Sequence, residues 1–400
     1  GSTGYYNLNL SGNGLKLLPS SSFNIIGDLS VTNSAIATTE SDLTIGGNLN
    51  LADTSIFTIG AGKTLNAENG IITNLVGNEG FVLQSTIDGT ASLIHNTNNV
   101  PATVERYISG DAEDWHFLSS PVSNQTIASA SWTPPGTYGN GTGYDLYVWD
   151  EPTPCWVYHK NDTGALPYDA NNPDWPHVHP QTNFIPGKGY LYSVQATNPT
   201  NEFKGNLNNG TISYPITANN TTDPLLKGFN LIGNPYPSSI DWKATGWTRA
   251  NLLDSGGGYD MWIWNPATNN YGVFNSADNV GTNGITQHIA PMQGFFVRAA
   301  SNANISMTNN IRVHTGASNW MKPSRNNDFT SNIKVKISSE EGLGSDEVLL
   351  QFGHFSNELG AAKLFSTIKT APSAYLNVGK DELSVRYLTD TIDNPFVPIM

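Results

Sequence analysis

The sequence predicts an all-β protein, with a short N-terminal β-solenoid followed by tandem β-sandwich modules of the jelly-roll or Ig-like type. Three features indicate this. The chain of 400 residues contains 39 Gly and is rich in Asn, and both residue types disfavour helix interiors and favour turns. Its 10 Trp, 16 Tyr and 15 Phe favour strands and supply buried area. Short runs of alternating apolar and polar residues recur between these turn residues.

Charge and cysteine content exclude several classes of function. The net charge of −14 repels nucleic-acid phosphates and anionic lipid surfaces, so we expect neither partner. One cysteine, Cys155, allows no intramolecular disulfide and no zinc cluster of thiolates. No apolar run is long enough for a membrane span. Low cysteine content suits a secreted bacterial protein, with a cysteine-poor cytosolic chain as the alternative. The start at Gly1 without an initiator Met indicates a processed or engineered terminus, such as removal of a signal peptide would leave.

Residues 1–104 contain a repeat of about 20 residues. Residues 26–36 match residues 45–56 in their apolar positions and glycines, with Leu29 and Val31 aligned to Leu49 and Leu51. Each unit has one apolar face that it cannot bury alone, and stacking of successive units would bury it. We therefore expect a β-solenoid of four or five turns, with an antiparallel meander as the alternative. The scattered acids of this region do not form the pairs that polysaccharide cleavage needs.

An internal duplication covers residues 105–220 and 221–320, and the two copies are expected either as separate sandwiches or as one packed unit. Three ordered segments match between them: 115–122 with 229–236, 144–150 with 259–265, and 185–192 with 290–297. Each third segment begins an aromatic strand at a glycine, Gly189 or Gly294, which would permit a bulge or a close backbone approach.

Aromatic residues at matching positions of the two copies are the candidate ligand-binding residues. Flat indole and phenol rings stack on sugar rings, so an exposed set would form a glycan-binding platform. The alternative is that the repeated aromatics are the shared core of a duplicated fold. The candidates are Tyr147, Trp149 and Trp156 in the first copy and Trp262, Trp264 and Tyr271 in the second.

A metal site is a weaker candidate. Asp174, His177 and His179 could hold an ion, because two imidazoles at i and i+2 share one face of a strand, although the segment is rich in proline. Oxygen-rich loops at 161–164 and 169–174 could hold a structural calcium, without the spacing of an EF-hand. No other cofactor is expected.

Two further elements complete the predicted organisation. One helix is expected from Ser238 or Ser239 to about Leu253, since a serine cap precedes Asp241 in the first turn. After a polar linker at 321–328, the alternating pattern of residues 328–400 predicts a third β-sandwich, which 70 or so residues would leave incomplete.

These segments together resemble the modular surface proteins that Gram-negative bacteria export through the type IX secretion pathway. The similar segments are the Gly-Asn-rich repeats, the turns at 115–121 and 230–237, the strand at 290–296, and residues 344–350, 362–364, 371–375 and 397–398. The resemblance implies a β-sandwich before a C-terminal sorting domain, and it implies secretion or display on the outer cell surface. The resemblance assigns no catalytic residues to this chain.

The sequence thus favours a non-enzymatic surface or secreted protein that is adhesin-like, binds glycans, or presents another domain rigidly. Glycans or host and extracellular surface proteins would be its partners. The alternative is a carbohydrate-active enzyme, a polysaccharide hydrolase or lyase or its accessory binding part, with two carboxylates lining an aromatic cleft.

Overall fold

The computed structural model describes residues 4–127, 132, 143–160, 177–178, 183–194, 196–316, 332–353, 359–388 and 399–400. These residues are almost entirely β, with two single-turn 3₁₀ helices at Asn78–Gly80 and Asn309–Ile311. The all-β class predicted from composition is confirmed. No helix among the described residues has the length and apolarity to cross a membrane.

The N-terminal region is a β-solenoid built from three parallel sheets, as predicted. The sheets have the orders β1-β4-β7-β10-β15, β2-β5-β8-β11 and β3-β6-β9-β12-β16, and β13 and β14 form a small hairpin. Parallel pairing rules out the antiparallel meander. The strands are β1 Gly4–Tyr5, β2 Leu8–Leu10, β3 Gly14–Leu17, β4 Phe23–Ile25, β5 Leu29–Val31, β6 Ala35–Thr39, β7 Leu43–Ile45, β8 Leu49–Leu51, β9 Ile56–Ile59, β10 Thr64–Ala67, β11 Ile72–Asn74, β12 Phe81–Leu83, β13 Ser85–Thr86, β14 Gly89–Thr90, β15 Ser92–His95 and β16 Pro101–Tyr107.

Matched residues of the sequence repeat pair with each other in successive turns of this solenoid. Leu29 pairs with Leu49 and Val31 with Leu51, and their side chains are buried in its interior. At the corners, the side-chain oxygen of Asp28 accepts a hydrogen bond from the Asn48 amide at 2.6 Å, and Asn48 in turn accepts one from the Ile71 amide at 2.9 Å. Asn and Asp therefore recur because one side chain per turn satisfies a backbone amide of the next.

Glycine at the same corner permits this close stacking. A Cβ on Gly70 would overlap the carbonyl oxygen of Gly47 in the preceding turn, so the corner has no room for a side chain. We expect Gly70→Ala to lower the free energy of unfolding by about 1–3 kcal/mol, the usual range for overpacking. Urea unfolding measures this, with the exposed neighbour Asn69→Ala as control. Equal effects of the two substitutions would contradict the steric argument.

The duplicated region contains two sheets with the same strand order. β17-β22-β19-β20 in the first copy corresponds to β25-β32-β29-β30 in the second. The strands are β17 Trp115–Leu118, β18 Val122–Ser123, β19 Gly143–Asp150, β20 Cys155–Lys160, β21 His177–Val178, β22 Tyr190–Ser193, β23 Thr200–Leu207, β24 Ile212–Ile216, β25 Phe229–Gly233, β26 Ser239–Asp241, β27 Trp247–Thr248, β28 Asp254–Ser255, β29 Gly258–Asn265, β30 Asn270–Asn275, β31 His288–Ile289, β32 Gly294–Arg298, β33 Ala303–Met307 and β34 Arg312–Val313.

The pairing register is also the same in the two copies. Trp149 pairs with Trp156 in the first copy, and Trp264 pairs with Tyr271 in the second. As predicted for a central strand, both faces of β29 are buried: Met261 and Ile263 pack in one cluster and Trp262 in another. The duplication is therefore visible in topology and register as well as in sequence.

The two copies touch backbone to backbone at equivalent positions. Leu118 pairs with Gln293 and Lys188 with Ile232, two bridges that an internal twofold axis would exchange. The predicted close approach at the matching glycines occurs here. A Cβ on Gly189 would lie 2.5 Å from the Ile232 carbonyl oxygen, and one on Gly294 would lie 2.9 Å from the Phe117 Cβ.

The predicted domain boundaries stay predictions, but the solenoid and the first copy share a sheet. β16 runs to Tyr107, past the boundary placed at residue 104, and β23 of the first copy pairs with it antiparallel along seven residues. This pairing covers the edge of the last solenoid turn.

The predicted helix at 238–253 is wrong. Ser239–Asp241 is the strand β26, which lies between β31 and β34. Ile240 is fully buried and pairs with Ile289, so tertiary pairing overrides the local capping signal of the serines.

The C-terminal segment forms a sheet of order β35-β36-β39-β37, with β38 on β39. Leu349, Val385 and Tyr387 on one face pack against Trp262 and Val273 of the second copy. The opposite face packs against its own cluster, around Val348 and Leu376. Among the described residues the segment is one sheet rather than a sandwich. Its strands are β35 Asn332–Ser338, β36 Ser345–Phe352, β37 Ala361–Ala362, β38 Leu376–Val378 and β39 Asp381–Leu388.

Candidate ligand-binding cleft

Five of the six candidate aromatic residues pack in one cluster shared by the two copies and the C-terminal sheet, and Tyr147 packs against Trp115 within the first copy. Tyr147, Trp262 and Tyr271 are buried, at 2%, 1% and 9% exposure. Trp149, Trp156 and Trp264 are half-buried and pack against one cluster that includes Phe117 of the first copy and Phe229 and Phe296 of the second. The buried members are core residues, as the alternative interpretation of the repeated aromatics expected.

Two of the half-buried indoles, Trp149 and Trp156, line a cleft with a volume of about 1070 Å³. Its other aromatic lining comes from Phe229, Tyr271 and Phe296 of the second copy and from Phe365 of the C-terminal segment. The structure therefore brings three of the six candidates to one site, with Trp149 and Trp156 from one copy and Tyr271 from the other.

The rings in the cleft meet at steep angles. The Trp149 and Trp156 centroids are 5.3 Å apart with an interplanar angle of 70°. Phe296 lies 5.7 Å from Trp149 at 88°. The Trp149 indole N–H donates to the Phe229 carbonyl at 2.7 Å, which fixes this ring against the second copy. The aromatic residues thus form a corner rather than a flat platform.

The rim combines apolar and charged side chains. Leu225, Leu359 and Phe365 line the cleft and are 54%, 38% and 40% exposed. Exposed apolar groups around a concave site are typical of ligand-binding surfaces. The charged residues of the lining are Asp223, Arg298, Lys363, Lys380, Asp381 and Glu382.

The first-copy wall is held by a buried carboxylate, Glu151, in the turn after β19. It accepts hydrogen bonds from the amides of Asn219 at 2.8 Å, Gly228 at 2.9 Å and Asn220 at 3.1 Å. Burial alone would raise the pKa of Glu151, but these amides and the Thr217 hydroxyl together outweigh burial and lower the pKa. The carboxylate ties the β19–β20 turn to the segment that precedes β25.

The C-terminal wall is fixed to the second copy by polar contacts. Asp346 forms a buried ion pair with Lys363 and accepts a hydrogen bond from the Asn283 side chain at 2.9 Å. The Trp262 indole N–H donates to the Ala362 carbonyl at 3.0 Å. These contacts hold residues 359–365 over the edge of the cleft.

Sequence reasoning did not find this C-terminal wall or the segment at 223–226. Exposed leucines and a Lys-Asp-Glu run give no signal that they share a site with distant tryptophans. Phe229 and Phe296 could have been found, because both lie in the matched segments of the duplication.

Two buried acids lie near the cleft but outside its lining. Burial, together with the nearby Asp278, raises the pKa of Asp260 to about 7, against hydrogen bonds from Asn275 and Ser255 that lower it. Burial likewise raises the pKa of Asp278 to about 6, and this carboxylate accepts a hydrogen bond from the Tyr387 hydroxyl at 2.9 Å. Both acids thus belong to a hydrogen-bond network that joins the second copy to the C-terminal sheet.

The predicted metal residues fall mostly outside the described part of the chain. Asp174, His179 and the loops at 161–164 and 169–174 lie outside it. His177 lies in β21, which pairs with β20, and its side chain is not described. Among the residues that the structure does describe, no group of three or more His, Cys, Asp or Glu could hold a metal ion.

A family model described as a domain of unknown function, DUF8693, matches residues 15–342. The chain belongs to this family. The DUF8693 match takes in most of the solenoid and both copies of the duplicated region, and it ends in the turn between β35 and β36. The C-terminal wall of the cleft therefore lies beyond the part of the chain matched as DUF8693. No curated protein and no solved structure matches the chain.

The raised pKa of Asp260 predicts a stability loss at high pH that Asp260→Asn should remove. As pH rises from the usual carboxyl range towards 7, the unfolded state releases this proton before the folded state does, so folding becomes less favourable. We expect the variant to gain on the order of 1 kcal/mol or more relative to wild type between pH about 4 and about 8.5.

Urea unfolding at both pH values measures this gain. Asp254→Asn, an exchange of another acid on the neighbouring strand, is the control. If the difference between Asp260→Asn and wild type does not change with pH, the carboxyl is not held protonated by the fold.

Proposed function

We propose that this chain is a non-catalytic glycan-binding protein of adhesin type, and that the cleft at Trp149 and Trp156 is its binding site. The observation that supports this is the pair of half-buried indoles in a cleft of about 1070 Å³, bordered by apolar and charged groups. Apolar faces of sugar rings stack on such rings, and polar groups at the rim hydrogen-bond the hydroxyls.

The surrounding fold suits a site for recognition. The walls come from the first copy, the second copy and the C-terminal sheet, and each is tied to its neighbour by buried or partly buried hydrogen bonds. A site held in this way is pre-organised, so little conformational entropy is lost on binding. The same fold is compatible with rigid presentation of another domain, but such a role would not require the cleft.

The proposed location is outside the cell, secreted or on the outer surface of a Gram-negative bacterium. Its support is the resemblance of several segments to proteins exported by the type IX pathway, together with the single cysteine. The partners are then glycans or host and extracellular surface proteins. Mass spectrometry of outer-membrane and medium fractions, with and without a functional type IX pathway, tests this location.

Trp156→Leu is the substitution that tests the binding site. Leucine keeps an apolar side chain but removes the stacking face, so we expect glycan affinity to fall at least about tenfold, or ~1.4 kcal/mol. Binding to array-selected glycans is measured by titration calorimetry. Trp264→Leu is the matched control, because Trp264 is also half-buried in the same cluster but does not line the cleft.

Equal losses in the two variants would point to general destabilisation and would count against the site. Unchanged affinity in Trp156→Leu, with glycan bound by the wild type, would place binding elsewhere on the chain. No glycan bound by the wild type would overturn the proposed function itself.

The alternative function is a carbohydrate-active enzyme. Its best candidates are Asp381 and Glu382, two carboxylates that line the cleft at the start of β39. Release of reducing ends or of unsaturated products from polysaccharides, abolished in an Asp381→Asn, Glu382→Gln double variant, would establish the enzyme. We expect no release above the level of that variant.

A further inference from the structure

We infer that the cleft takes the end of a neutral glycan, stacked in the corner between Trp149 and Trp156, rather than the middle of a long polysaccharide or an acidic glycan. This inference rests on the proposed function and specifies its ligand. Three observations carry it: the angles between the rings, the walls around them and the charges at the rim.

The angles between the aromatic rings favour binding of the end of a glycan over binding of its interior. A site for the interior of a linear polysaccharide needs aromatic faces that are roughly coplanar and spaced along an open groove, so that successive sugars each meet one ring. Here the Trp149 and Trp156 planes meet at 70°, and the Trp156 and Phe296 planes meet at 65°. The centroids of these two pairs are 5.3 and 6.1 Å apart. One sugar ring can stack on one wall and place its edge against the next, but two successive sugars cannot each find a parallel face.

The walls close the corner on three sides. The β19–β20 hairpin is fixed by Glu151, the segment 223–226 borders the second side, and residues 359–365 with 380–383 form the third. The Leu359 carbonyl accepts a hydrogen bond from the Ser255 hydroxyl at 2.8 Å, which holds the third side to the second copy. These walls favour the end of a glycan over a chain that runs through the cleft.

Rim charges disfavour an acidic ligand. The Arg298 guanidinium donates to the carbonyls of Lys227 and Pro224 and lies 5.1 Å from the Phe229 ring centroid. The Lys363 ammonium is paired with Asp346 in the interior. Because Asp346 neutralises Lys363, the other cations of the described lining are Arg298 and Lys380. Three carboxylates lie there with them: Asp223, Asp381 and Glu382. With a net charge of −14, the chain repels uronic acids and sulfated sugars.

The test uses the whole chain and oligosaccharides of defined length. Neutral β-1,4-linked glucose, mannose and galactose oligomers and α-1,4-linked galacturonic acid oligomers, each from one to six rings, are titrated by calorimetry. For the neutral series that binds, we expect affinity to reach its plateau by two rings and to change less than twofold from two to six. We expect the galacturonic acid series to bind at least tenfold more weakly.

A second measurement removes the rim carboxylates and compares the binding of acidic and neutral oligosaccharides. The Asp381→Asn, Glu382→Gln double variant removes two negative charges from the lining and should raise the ratio of galacturonic acid affinity to neutral-oligomer affinity several-fold. A double variant outside the lining, Glu340→Gln with Glu341→Gln, is the control for net charge alone. Equal gains in both double variants would show that the rim carboxylates do not select against acids.

The outcomes separate the inference from the proposed function. Affinity that keeps rising to six rings would show an interior-binding groove, and tighter binding of the acidic series would show a cationic site. Either result overturns the inference while glycan binding stands. Failure of every glycan on an array to bind would overturn both.

Discussion

The contact between the two copies is made by backbone, and the rest of the structure depends on it. Leu118 with Gln293 and Lys188 with Ile232 are bridges between equivalent positions. The Ser119 amide donates to the Met292 carbonyl at 2.9 Å, and its counterpart Gly233 donates to the Gly187 carbonyl at 3.0 Å. At the flanking Gly189 and Gly294 a Cβ would overlap the other copy, so glycine permits this close approach. It sets the aromatic faces of both copies against one another, and from this contact follow the shared cluster and the cleft at its margin.

Hydrogen bonds also join the solenoid to the second copy. The Leu93 amide donates to the Pro237 carbonyl at 2.9 Å, and the Arg312 guanidinium donates to the Asn96 side chain at 2.9 Å. Burial of His95 beside Arg312 lowers the pKa of its imidazole to about 3, so this histidine stays neutral in the folded protein. Solenoid, first copy and second copy are thus in mutual contact, and the DUF8693 match runs through all of them.

Features with a local signal could be predicted from the sequence. The solenoid period follows from residues that repeat on one face, and the duplication follows from three matched segments whose strand pairings are the same in both copies. The candidate site could be predicted only in part. The matched segments predict Trp149 and Trp156 as aromatic candidates, but what separates them from Trp262 is the position of residues 359–365, which are distant in sequence. The expected helix at Ser239 failed for a related reason, since pairing of Ile240 with Ile289 is a contact that capping rules do not contain.

Cys155 allows the cleft to be labelled at a single thiol. It is the chain's one sulfhydryl, it lies in the lining next to Trp156, and it is half-buried. A spin label or small fluorophore introduced by thiol chemistry would therefore attach at a single place, at the border of the proposed sugar corner. Spectroscopy of the native sequence could then follow events at the cleft without engineered attachment sites.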